Sequence, residues 1–366
     1  GAIKFAGDSG AVINCNFINN TAQNGGAIYV GGDDVNITQS SFNNCSAGAD
    51  ASGGAIYVEG DYANIEKSKF HNTYANDGEL ASGGAIAIEG NMAIVSESEF
   101  TECFASNGGV LFVEGRRAEL RDSNVTDCYA YGYGGAIYIL YGEKTVVDGS
   151  VFDNCTSINK EGGAIVINGD YTIISNSNFT DCNASSAEGL GGAIYIEGEE
   201  TTIQNAIFNE CISVDGGAVF IQGNDVHISD SAFVANKLKD YTDDDNYGGA
   251  IYIGGTNANS GYNVTIENSK FDKTNATIDG GAIYIDGDDV KISDSEFKSN
   301  RLVDYSNDDN YGGAIYVNGA RAVISTSTFE KISSGIFKWS AAFMLTVISD
   351  RRLVTSLSAP GSTCHL

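Results

Sequence analysis

From residue 1 to about residue 332 the apolar positions recur with a period of two, and the pattern itself recurs every 25 to 32 residues. A period of two places alternate side chains on opposite faces of a strand, and no stretch of this region holds a helical period. The recurring word is Gly-Gly-Ala-aliphatic-aromatic-aliphatic. It starts at Gly25, Gly53, Gly83, Gly108, Gly134, Gly162, Gly191, Gly216, Gly248, Gly280 and Gly312, and a truncated copy opens the chain at Gly1. Ile28, Val30 and their equivalents are aliphatic in all eleven full copies, so they face a core. The position between them tolerates Tyr29, Ala87, Phe112 and Val166, so it faces outward.

A second word follows each first one: a small residue, any residue, Phe, two variable residues, then Asn, Cys or Thr, as in Ser40-Ser41-Phe42-Asn43-Asn44-Cys45. Five residues before the Phe stands an aliphatic residue in every copy, from Ile37 to Ile324. One copy cannot bury such a face alone, so the copies must stack. Short strands separated by Gly, Asn and Asp turns predict an all-β, single-stranded right-handed parallel β-helix, a solenoid of about twelve coils, one copy per coil. At the spacing of parallel strands this is a rod of roughly 60 Å. Residues 1–332 form the repeat domain. Residues 333–366, with the sole Trp339 and sole Pro360, break the pattern and read as an end cap or a non-native segment. Their apolar part, Gly335 to Ile348, is too short for a membrane span, so no membrane insertion is expected of this segment.

The pairing of GGA[ILV] with FxxN resembles the repeat of chlamydial polymorphic outer-membrane proteins. The fuller wording, as in GGAIYIDGDDVKISDSEFKSN from Gly280 to Asn300, is similar to the β-helix repeats of adhesin-like surface proteins of methanogenic archaea. That resemblance implies a secreted or surface-displayed rod that binds host or neighbouring cell-surface glycan or protein. It supplies no catalytic residue.

Charge narrows the partners. A net charge of −28 with only 20 Lys and Arg leaves nothing to neutralise phosphates in number, so nucleic acid is not an expected partner. Asp240, Asp243, Asp244 and Asp245 in one loop, and Asp304, Asn307, Asp308 and Asp309 in its near-copy 64 residues on, are candidate Ca²⁺ ligands. Their spacing fits no fixed-register Ca²⁺ loop, and duplication of a two-coil unit suffices to explain both loops. No other cofactor is expected.

The outward positions of the first strand, Tyr29, Tyr57, Phe112, Tyr138, Tyr195, Phe220, Tyr252, Tyr284 and Tyr316, predict an exposed aromatic stripe, flanked by Glu59, Glu89, Glu114, Glu197 and Asp286. Such a stripe suits a sugar or a protein partner, and stacking for its own sake explains it as well. Cys45, Cys103, Cys128, Cys155, Cys182 and Cys211 share one repeat position. Buried thiols at a tight corner are favoured there over bridges between adjacent coils. The three His are scattered and no CxxC occurs, so a metal site draws no support from them.

Arg116, Arg117 and Arg121 cluster in the coil whose first word reads GGVLFV and whose Phe is replaced by Val125. They are the one local sign of a groove for an acidic glycan. Repeats this regular argue against catalysis, since active sites break local rules. The expectation is therefore a non-enzymatic, extracellular adhesin-like rod, with a head-to-tail structural filament and a polysaccharide lyase or hydrolase as the alternatives. Nine Asn-x-Ser/Thr sites fit surface display.

Overall fold

The computed structural model describes residues 1–75, 78, 80–239, 246–255, 260–303 and 311–333. Its strands form three parallel twelve-stranded sheets and a fourth, eleven-stranded one, with each coil giving one strand to each sheet in turn. Successive copies pair in strict register: Ile28, Tyr29 and Val30 lie against Ile56, Tyr57 and Val58, which lie against Ile86, Ala87 and Ile88. The expected parallel β-helix is what the chain adopts.

The two glycines of the repeat do different work. At Gly25 the backbone turns through a φ of 58°, which a residue without Cβ adopts at little cost. Gly26 has no such need, but a Cβ there would lie 2.2 Å from the carbonyl oxygen of Gly54 in the next coil. Each remaining corner of the coil is turned by a single residue of left-handed conformation, as at Asp34, Gln39 and Asn44 with φ of 57°, 51° and 52°. Asn and Asp recur at these corners because their short side chains tolerate that geometry.

Inside, Ile28, Val30, Ile37 and Phe42 and their counterparts are almost wholly buried. The phenylalanines stack in a column broken only at Val125, with Phe179, Phe208 and Phe233 separated by 5.0 and 4.8 Å between ring centroids. The small residue two before each Phe does more than fit a corner. The Ser40 amide donates to the Oγ of Ser68, whose own amide donates to Ser98, and each hydroxyl donates to a carbonyl two residues back. Ala206 interrupts this ladder, while its own amide still reaches Ser231 Oγ.

The cysteines belong to a similar ladder. All seven described cysteines are free, and the six in the Cys45 column are buried. The thiols of Cys103, Cys128 and Cys182 donate to the carbonyls of Thr101, Thr126 and Thr180. Where Asn236 takes this position its amide donates to the Phe208 carbonyl and accepts from the Cys211 amide. Capping explains the column. The tail from residue 334 onward lies outside the described residues.

Candidate functional site

Two outward features compete for function on the first sheet. The aromatic column forms as expected, but it is not exposed. Tyr57, Phe112, Tyr138, Phe220 and Tyr284 are 5 to 9% exposed, and Tyr29, Tyr195, Tyr252 and Tyr316 are half-buried. The rings cover one another, with Phe220–Tyr252 and Tyr252–Tyr284 centroids 4.6 and 4.9 Å apart. Tyr133, Tyr247 and Tyr311, each just before a Gly-Gly, add further cover by packing on Tyr138, Tyr284 and Tyr316. A sugar approaching this column meets ring edges rather than faces, which corrects the exposed-stripe expectation. The hydroxyls are also engaged: Tyr29 donates to Glu59, a bond that lifts its pKa to about 12, and Tyr195 donates to Gln222.

The described part of the duplicated acidic loop is structural. Asn246 is buried with its amide on the Lys239 carbonyl, and Tyr247 lies on the aromatic column. Asp240, Asp243, Asp244, Asp245, Asp304, Asn307, Asp308 and Asp309 lie outside the described residues. Among the described residues no group of three His, Cys, Asp or Glu is placed to hold a metal ion.

A cavity of about 350 Å³ opens at the turn after the first strand, lined by Glu89, Asn91, Glu114, Arg116, Tyr141, Glu143, Asn168 and Asp170 among others. Two local irregularities make it. Elsewhere this turn is capped by a ladder in which Asp33 accepts from the Asp61 amide, Asp61 from Asn91 and Asn91 from Arg116. Arg116 has no oxygen to continue it, and its guanidinium instead reaches Glu143 at 3.0 Å. The ladder resumes only at Asp170, which accepts from the Glu199 amide.

The second irregularity is one added residue. Gly134 to Val147 spans thirteen positions, where Gly108 to Leu120 and most other coils span twelve. The surplus turns Leu140 onto the aromatic column and pushes Tyr141 out to 68% exposure. The Glu143 amide closes this turn on the Tyr141 carbonyl at 2.7 Å.

Within the cavity the strand register sets Glu89 and Glu114 on adjacent coils, since Ile88 pairs with Val113. Glu114 is half-buried. Burial first, and then the negative charge of Glu89, raise its carboxyl above the usual range. Asn168 presents a side-chain oxygen that is shut off from solvent and has no hydrogen-bond partner.

Of the arginine cluster, only Arg116 reaches the cavity. Arg117 is exposed at a left-handed corner, and Arg121 is ion-paired with Glu119 and Asp148 on the second sheet. Tyr141, Glu143, Asn168 and Asp170 were not singled out by sequence; the added residue in the coil of Tyr141 and Glu143 was the available signal, and Asn168 and Asp170 in the next coil carried none.

The chain belongs to the right-handed beta helix region family, which matches it over residues 1–156 and 84–260. No curated protein sequence matches it. Among solved structures, it resembles an alginate lyase in complex with G6 at a TM-score of 0.51 and 15% identity, covering 84% of this chain and 58% of that one. A second alginate lyase, in complex with a trisaccharide, matches at a TM-score of 0.43 and 11% identity over 91% of this chain and 83% of that one. A tailspike mutant of an E. coli bacteriophage in complex with a pentasaccharide follows at 0.38 and 11%, over 86% and 60%.

The chain thus spans little over half of the first of these lyases, and at such identities the likeness shows the fold alone. It still overturns the expectation of a non-enzyme. Coils of this fold occur in a polysaccharide-cleaving enzyme, so repeat regularity is no ground for setting catalysis aside.

Proposed function

We propose that the chain is a polysaccharide-binding rod that cleaves the glycan it holds, with the cavity at Glu89, Glu114, Arg116 and Tyr141 as the working site. One observation carries this reading: a carboxyl group biased toward its protonated form lines a cavity of about 350 Å³ at the point where the repeat departs from its own rule. A protonated Glu114 can donate to the bridging oxygen of a glycosidic bond as the C–O bond breaks, the role that general acids fill at such bonds. Tyr141 offers an exposed ring as a sugar platform, which the column of mutually covered aromatics does not. Arg116, held by Glu143, supplies donors for sugar oxygens at the rim.

Surface display is part of this proposal, since polymeric glycans are met outside the cell. The purified protein, offered a panel of polysaccharides, should retain at least one and shorten it, and Glu114→Gln should retain it without shortening. Retention by the wild type with no loss of polymer length would remove catalysis and leave a binding rod. No retention of any glycan would remove the reading altogether.

A further inference from the structure

The cavity also carries information about its substrate class, an inference that rests on the glycan-cleaving reading above. Its charged lining residues are Glu89, Glu114, Glu143, Asp170 and the single cation Arg116. The charge of that cation is already offset by Glu143, 3.0 Å from its guanidinium, although one such bond leaves further N–H groups to meet sugar oxygens. Acceptors dominate the rest: the Asn168 oxygen is buried without a partner, and Asn91 already caps the Arg116 amide through its own oxygen. The surrounding face adds Glu59 and Glu197, on a chain of net charge −28.

A polyuronate or sulfated glycan would set its own anions against this array, with one engaged arginine to offset them. Like charges in a shared site are disfavoured, and they slow the encounter as well. A glycan whose hydroxyls donate hydrogen bonds meets the lining's excess of acceptors instead.

We infer that the cavity holds a glycan free of carboxylate and sulfate groups and cleaves it by hydrolysis. The reaction class follows from the substrate class. Elimination removes a proton from the carbon next to a uronate carboxyl, and a sugar without that carboxyl has no such acidic hydrogen. Hydrolysis needs only water as co-reactant. A carboxylate oxygen of Glu89, one strand spacing of about 5 Å away on the adjacent coil, bonds to the anomeric carbon while the bond from that carbon to the bridging oxygen breaks, and the leaving oxygen takes the proton of Glu114. Water then gives a proton back to Glu114 and bonds to the anomeric carbon as the ester to Glu89 breaks, which restores both groups. No electron changes hands. The structural likeness to alginate lyases thus extends to the coil architecture and stops short of the substrate.

The test offers the intact chain a neutral glucan, mannan and galactan, a deacetylated amino-sugar polymer, and polymannuronate and polyguluronate, with Ca²⁺ and with chelator. New reducing ends, ultraviolet absorbance from unsaturated ends, and ¹⁸O uptake from labelled water are followed. The expected result is at least a tenfold preference for an uncharged or amino-bearing polymer. Its new ends should carry ¹⁸O and show no unsaturation, and chelator should have no effect.

Glu143→Lys, which reverses the charge that occupies Arg116, should raise the ratio of polyuronate to neutral-polymer retention severalfold; an unchanged ratio would overturn the electrostatic account of the preference. Cleavage of a polyuronate with unsaturated ends, abolished by Glu114→Gln, would overturn this inference and leave the cavity as the working site. Failure to retain or shorten any polymer would overturn the site as well.

Discussion

The coils starting at Gly25 and Gly53 and those starting at Gly83 to Gly162 are written in the same two words, yet it is the second group that lines the cavity. In the first group the turns are capped, Asp33 accepting from the Asp61 amide and Asp61 from the Asn91 amide. In the second, Arg116 ends that ladder and one residue beyond the usual twelve pushes Tyr141 out. The lesson concerns where a solenoid keeps its chemistry. A coil that satisfies its neighbours fully presents a closed surface, and a site needs a coil that fails to.

The largest effect should come from breaking what the two groups share. Phe208→Ala removes a wholly buried ring between Phe179 and Phe233 and should cost about 3–5 kcal/mol in denaturant unfolding. A loss below about 1 kcal/mol would mean that the column is not what holds the coils together.

Glu114→Gln separates the groups next. It should leave unfolding nearly unchanged and lower glycan cleavage by about 10²-fold, the scale of a lost general acid. The pH dependence has a definite sign. Because the folded carboxyl binds its proton more tightly than the unfolded one, Glu114 stabilises the fold relative to the unfolded chain below the ordinary glutamate value. That contribution is lost as pH rises through the raised folded value. Cleavage should fall over the same interval as the acid ionises, and Glu114→Gln should flatten the stability slope.

Removing Leu140 restores the twelve-residue spacing and converts the second group toward the first. Glycan retention should drop about tenfold, as a single lost contact surface would predict, with the β-sheet circular-dichroism spectrum preserved. Unchanged retention would show that the added residue does not build the site. Smallest of all, Ala206→Ser should mend the one interruption of the serine ladder and add about 0.5–1.5 kcal/mol, through a new bond from the Ser177 amide.

Much of the architecture was legible because the repeat encodes it redundantly. Ile28, Val30, Ile37 and Phe42 each announce an inward position eleven times over, and stacking follows. Which outward residues stay exposed was not legible. Tyr57 and Phe112 alternate outward as read, but their cover comes from the adjacent coils and from residues such as Tyr133 on a variable loop. Periodicity within one strand carries no information about that neighbour.

The site was half visible. Glu89 and Glu114 stood out as members of an acidic column and Arg116 as part of a basic cluster. Their meeting with Glu143 and Asp170 depends on a turn that a single added residue reshapes. Serine and cysteine at the corners read as size limits, and the structure shows that hydrogen bonding between coils selects them too.

The central claim is that the interrupted coils, not the regular ones, meet the glycan. Hydrogen–deuterium exchange of the intact chain with and without a retained oligosaccharide tests it most directly. The account predicts added protection confined to peptides covering residues 89–91, 114–117, 140–144 and 168–170. Protection along the aromatic column from Phe220 to Tyr316, with none at those four segments, would contradict it.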